Sequence, residues 1–262
     1  MRGKVSIFLM VGFVVSLCAT TTLAQVEEQK ATLFLFWDVL VNPSKVVEYE
    51  AATKEEVALY SKHKFPYPWS SASTDDFHYY FLIPVDKFAD IDNIYKALNE
   101  TQRKMGAEYQ ALMKRFSGTY EYIHMYMWYL NHDLSYTPEN PRLKVEEEKN
   151  IYYTYLYFKP GMEKEAEEIA KKWKALYKSK NISDRYYLWV GDIGTDMPVY
   201  CVLGGGKSAA DFFSQAEKND KLLGEEAMAL WEKTLKLCRK IEQKTGRPRP
   251  DLSLIPFSER EK

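Results

Sequence analysis

Few side chains in this sequence are spaced so that they could bind or act on a small molecule, and most fall in Thr119–Leu130, TYEYIHMYMWYL. As a strand, its alternation puts Tyr120, Tyr122, His124, Tyr126 and Trp128 on one face. Glu121, Ile123, Met125, Met127 and Tyr129 fall on the other, which suits packing beneath helices. A face of flat rings with polar tips is what a cavity for a planar or apolar ligand needs. His78 and Tyr80 share a face of an earlier strand and could point the same way. The ligand-binding candidates are therefore His78, Tyr80, His124, Tyr126 and Trp128. The competing reading is a filled core in which these rings only pack. A neutral imidazole in an aromatic cavity could ligate haem iron, which makes His124 the axial-ligand candidate. A cofactor-free oxygenase would need a group to take a proton, and His78, His124 or Asp38 are the interior choices. The sequence assigns no catalytic residue and no metal ligand.

Other motif-like stretches carry less. Asn131-His132-Asp133 has metal-ligating residue types, but three adjacent side chains point apart, so it reads as a turn. Val202–Ser208, VLGGGKS, invites a phosphate-loop reading, yet Cys201 stands where that loop requires its first glycine. The stretch reads instead as a strand-to-helix turn capped by Ser208, with room for a weak anion site at the helix start. Asn99-Glu100-Thr101 and Asn181-Ile182-Ser183 are glycosylation sequons, meaningful only in a eukaryotic secretory route.

The elements that must position these residues repeat. Thr32–Val41 reads as a doubly covered strand, and Asn42-Pro43 as the cap and first turn of a helix reaching about Lys62. Strands follow at Trp69–Ser73 and Phe77–Ile83. A helix capped by Asp86 then runs to about Phe116, interrupted near Gly106, and the aromatic strand closes the half. Asn131–Lys149 reads as a linker. The order then restarts with a strand at Tyr152–Phe158, a helix from Pro160, and strands at Tyr186–Val190 and Pro198–Leu203. Helical patterns follow through Ala216 and from Lys221 to Lys244, and a short strand at Asp251–Ile255 ends the series. Pro43 aligns with Pro160, Trp69 with Trp189, and Ala89-Asp90 with Ala210-Asp211. The organisation is a signal peptide at 1–24, a first repeat at 25–130, a linker at 131–149 and a second repeat at 150–262. Each half is βαββαβ, an α+β unit whose bare sheet face must be buried against its twin, closing a barrel with helices outside.

The N-terminus, MRGKVSIFLMVGFVVSLCATTTLAQ, has a basic start, an apolar run too short to span a bilayer and small residues before Gln25. It reads as a secretory signal peptide, so the protein is expected in the periplasm or outside the cell, soluble and without a membrane span. Cleavage removes Arg2 and Lys4 and takes the net charge from −1 to −3, without the basic stripe that nucleic-acid binding requires. It also leaves Cys201 and Cys238 alone of the three cysteines, as two buried thiols or one pair.

The element order, the strand aromatics and the internal repetition resemble the dimeric α+β barrel superfamily, in a tandem form in which one chain supplies both halves. The likeness spans about residues 31–256 and carries no signature sequence, so no catalytic residue is transferred. It implies monooxygenase, haem-handling or NIPSNAP-type relatives, with haem as the one cofactor to consider. Three readings follow: an exported protein binding a small apolar or aromatic ligand in an aromatic-lined cavity, a cofactor-free monooxygenase or haem enzyme, and an interaction module acting on a protein partner or as a homodimer.

Overall fold

Phe34, Leu35 and Phe36 at the centre of the first strand leave it no wet face, and the fold covers it from both sides. A computed structural model describes residues 31–254; the expected signal peptide and the last eight residues lie outside the described residues. The first half contains β1 (Ala31–Val41), α1 (Val46–Lys62), β2 (Ser70–Thr74), β3 (His78–Val85), α2 (Asp90–Met105), α3 (Ala107–Phe116) and β4 (Tyr120–Tyr136). The second contains β5 (Asn150–Phe158), α4 (Glu163–Ser179), β6 (Tyr186–Gly191), β7 (Val199–Gly206), α5 (Ala209–Leu237) and β8 (Cys238–Pro248).

The strands form one closed antiparallel barrel in the order β1-β3-β2-β8-β5-β7-β6-β4. Within the first half the order is β4-β1-β3-β2, and within the second it is β8-β5-β7-β6. The halves join at two seams, β4 with β6 and β2 with β8. The second seam is short, for β2 meets only Gly246–Pro248 of β8. At the second seam the backbones come so close that a Cβ on Gly246 would stand 2.4 Å from the Ser73 carbonyl oxygen.

Strand alternation sorts side chains into two cores. Leu33, Leu35, Val39, Ile83 and Met127 point outward and are buried under α1–α3 with Tyr49, Ile94 and Leu112. Full burial of each such side chain is worth about 1.5–3 kcal/mol. Phe34, Tyr80, Trp128, Tyr153, Trp189 and Cys201 point into the barrel. Leu134 and Leu188 are buried beneath α4 and α5, together with Leu223 of α5 itself.

Several expectations need correction. Asn42 makes no cap; its side chain donates instead to the Gly118 carbonyl. Asp86 does not cap the second helix, which begins at Asp90, whose carboxylate accepts from the Asp86 and Lys87 amides. That helix is broken at Gly106, whose φ of 56° suits glycine. Asn131–Tyr136 is not linker but the end of β4, held by Leu130 against Trp189 and Tyr136 against Tyr186. Gly204–Gly206 is strand rather than turn, because only glycine admits Phe212 against Gly204 and Glu148 against Gly205.

The largest correction is Cys238–Lys244, expected as the end of a helix and found as part of β8. Its lysines, arginine, glutamate and glutamine carry helix propensity, but β5 pairs along its length and β2 pairs with the end of β8. Two strand partners outweigh a few tenths of a kcal/mol of propensity per residue. The expected last strand at 251–255 is instead a 3-10 turn at Pro250–Leu252. Cys201 and Cys238 are both free thiols.

Candidate functional site

The barrel interior holds a buried acid, Asp38, with two partners. Asp38 lies on the inward face of β1, opposite Tyr80 on β3 and His124 on β4. Its Oδ1 accepts from His78 Nδ1 at 2.7 Å, and its Oδ2 accepts from the Tyr126 hydroxyl at 3.0 Å. Both partners are diagonal cross-strand neighbours, which is the reach a hydroxyphenyl or imidazole side chain needs. His78 Nε2 faces Asp76 at 3.9 Å, and Asp76 pairs with Lys244 of β8 at 2.7 Å. Burial acts against ionisation of Asp76, but its bonds from Lys244 and Thr74 hold the carboxyl below its usual range. A chain of polar groups thus runs from Lys244 near the surface to Tyr126 inside.

Burial first, and the Asp38 charge second, push the Tyr126 and Tyr80 phenols well above their ordinary value. Burial does the same to Tyr155 and to the Cys201 thiol, for which a hydrogen bond from Tyr155 acts in the opposite sense. These groups are therefore neutral near pH 7. Tyr126 spends its proton on Asp38, so its oxygen keeps lone pairs to offer a ligand.

Tyr126 borders a cavity of about 580 Å³ inside the barrel, walled by Phe36, Leu82, Trp128, Tyr153 and Trp189 among others. The size and the aromatic lining suit a small planar molecule. Two residues of this wall carry a buried polar atom without a hydrogen-bond partner among the described residues: Trp189 at its indole Nε1 and Ser70 at its hydroxyl. Glu148 and Arg185, both strongly buried, form an ion pair of 3.2 Å at one end of the cavity. Arg185 also donates to the Leu143 carbonyl and, at 3.3 Å, to the Tyr187 hydroxyl. Glu148 lies against Gly205, where a Cβ would stand 2.4 Å from its carboxylate.

Of the residues expected to bind a ligand, Tyr80, Tyr126 and Trp128 line this cavity. His78 lies behind them on Asp38. His124 is solvent-exposed, stacked on Tyr122 at 4.2 Å, and is not among the residues lining the cavity. The expectation that it would share the pocket with Tyr126 is corrected, because its strand position falls toward the barrel rim. A haem would need an axial donor in the cavity; His124 lies outside it and no histidine is among its lining residues, so the residues present do not fit a His-ligated haem. Among the described residues no group of three or more His, Cys, Asp or Glu is placed to hold a metal ion. Asn131-His132-Asp133 belongs to β4, where His132 Nε2 meets the Thr32 hydroxyl at 2.9 Å. The helix start at Ser208 is occupied by its own acid: Asp211 accepts from the Lys207 amide and from Arg142, which leaves no anion site there.

Ser70, Glu148, Arg185 and Lys244 were not legible as site residues, for no local pattern marks them. Trp189 stood out only as the counterpart of Trp69. The two differ in role, since Trp69 packs in the helix-side core and donates to the Leu252 carbonyl.

No family model matches the sequence, and no curated protein matches it. Solved structures do. An anthrone oxidase-like protein is 12% identical, with 84% of this chain and 92% of that one covered and a TM-score of 0.53. A protein provisionally named a monooxygenase, from Fusobacterium nucleatum subsp. nucleatum, is also 12% identical, with 84% and 93% covered and a TM-score of 0.51. A chlorite dismutase from Candidatus Nitrospira defluvii is 10% identical, with 84% and 93% covered and a TM-score of 0.46. At such identities the first two show the fold. It is a closed antiparallel barrel of eight strands flanked by helices, built here from a single chain.

Proposed function

We propose that the barrel interior binds a small, planar, largely apolar molecule bearing a carbonyl or phenolic oxygen. The observation that carries this reading is the pair of buried, unpartnered groups, Trp189 Nε1 and Ser70 Oγ, on residues that line an aromatic cavity. Leaving such groups unpaired costs about 1–3 kcal/mol each, and a ligand oxygen removes that cost. Anthrone, a fused-ring ketone, is a suitable test compound, and the anthrone oxidase-like protein of similar fold motivates the choice. Titration of the purified protein should give saturable quenching of tryptophan fluorescence, weakened in Trp189→Phe. Quenching that rises linearly without saturation, or that Trp189→Phe leaves at the same affinity, refutes the reading.

A second reading rests on Asp38. A bound phenol or enolisable ketone would meet the Tyr126 oxygen, with Asp38 behind it to receive a proton and His78 to hold the acid in place. That arrangement suits deprotonation of a hydroxyaromatic substrate, the first step a cofactor-free monooxygenase would need. Anthrone oxidation abolished in Asp38→Asn with binding retained supports it; oxidation at the parental rate removes it.

We also infer that the chain is a tandem pair of ferredoxin-like βαββαβ repeats, as the matching strand orders of its halves support. Export after cleavage before Gln25 belongs to the same proposal, and the mass of the mature protein tests it. A homodimer belongs to the same proposal, and sedimentation at several concentrations is the check.

A further inference from the structure

The helix side of the second half encloses a second cavity, of about 910 Å³. It lies between the outward faces of β5–β7 and the pair α4 and α5, and Leu156, Val202, Ala170, Trp173, Leu223 and Ala227 are among its walls. Protein interiors are close-packed, and voids larger than a water molecule are few. A space of this size lined by apolar side chains is a candidate ligand pocket rather than a packing accident.

The second, independent observation is Tyr186. Its ring is fixed by edge contact with Tyr177 at 5.1 Å and by Tyr136 at 6.1 Å. The residue lines the cavity, and its hydroxyl is buried with no hydrogen-bond partner among the described residues. The residue is only 7% exposed, and burial keeps the phenol protonated. It is therefore a donor in search of an acceptor. Arg142, which lines the same cavity, contributes another, for its Nη2 is buried and unpartnered. Its Nε and Nη1 already pair with Asp184 at 2.6 Å and Asp211 at 3.0 Å. Two carboxylates thus offset one guanidinium, so the pocket favours a neutral acceptor over an anion.

Access is supplied by α5. The helix is broken at Gly224, with φ 60° and ψ −149°, and Gly224 is itself on the cavity wall. Phe213, Met228 and Trp231 line the same cavity while remaining exposed at 52%, 67% and 37%. They form an apolar rim that an uncharged molecule can cross.

We propose that this interlayer space is a second binding site, distinct from the barrel cavity, for a neutral apolar molecule carrying a ketone, ester or quinone oxygen that accepts from Tyr186. The test uses Nile red, a neutral fluorophore with one carbonyl, titrated into the full chain and three variants. Ala170→Phe fills the interlayer space, Tyr186→Phe removes only the hydroxyl, and Leu203→Trp fills the barrel cavity instead. The parent and Leu203→Trp should bind Nile red with the same affinity and a blue-shifted emission. Affinity should fall at least 10-fold in Ala170→Phe and about 5-fold in Tyr186→Phe, whose ligand-free melting temperature should be no lower than the parent's. Binding lost in Leu203→Trp, absent from the parent, or unchanged in Ala170→Phe overturns the site. Binding unchanged in Tyr186→Phe overturns the acceptor assignment, and this variant decides alone where Ala170→Phe does not fold.

Discussion

Ser70→Ala should make the ligand-free protein more stable and its barrel cavity a poorer binder. Ser70 opens β2, is 4% exposed, and its hydroxyl has no partner among the described residues. Its strand position, opposite Leu82, is set by the backbone ladder and does not depend on the side chain. A buried hydroxyl left unpaired costs about 1–3 kcal/mol, and the lower end is taken here for a single neutral hydroxyl. Replacing it by a methyl group should therefore raise stability by about 1 kcal/mol. For a domain of this size that is about 2–4 °C in melting temperature. A neutral hydrogen bond to a ligand oxygen is worth about 0.5–1.5 kcal/mol, so anthrone affinity should fall about 2- to 10-fold. Differential scanning fluorimetry and fluorescence titration measure the two effects on one preparation. Opposite signs for stability and affinity mark a group held in reserve for a ligand. A variant that melts lower than the parent while binding anthrone equally well would refute the reasoning.

Other expectations follow from named contacts. Asp38→Asn weakens charge-assisted bonds to His78 and Tyr126, and chemical denaturation should show a loss of roughly 1.5–3 kcal/mol. Gly246→Ala sets a methyl group against the Ser73 carbonyl at the seam of the halves, and the overpacking should cost about 1–3 kcal/mol in the same assay. Burial pushes the Glu56 carboxyl up to about 7 from an ordinary 4.5. The unfolded chain therefore releases this proton first, and stability is lost as pH rises from 4.5 through 7. Glu56→Gln should remove that loss, melting higher than the parent at pH 8 by an amount equivalent to roughly 1–3 kcal/mol and converging with it at pH 4.

A dense apolar run made β1 legible, and period-2 alternation, also a local signal, made β4 legible with the inward face of Tyr126 and Trp128. The same alternation could not say how far along the barrel each residue falls, which is why His124 was grouped with Tyr126 but stands exposed at the rim. Asp38 was legible as an interior acid. Its bond to His78 was not, since that pairing comes from the β1–β3 register across 40 residues. The strand at Cys238–Lys244 was missed because its residues favour helix while the strand neighbours of β8 are remote in sequence. Glu148 and Gly205 show the same limit: each looks like linker or turn alone, and only their contact explains both.

The central claim is that the aromatic barrel encloses a ligand site whose wall groups await a partner. The most direct measurement is the indole Nε1–H resonance of Trp189, followed by heteronuclear NMR as anthrone is added. It should begin at high field, as befits an N–H without an acceptor, and move downfield to saturation in step with fluorescence quenching. An indole resonance that stays in place while anthrone binds would contradict the claim.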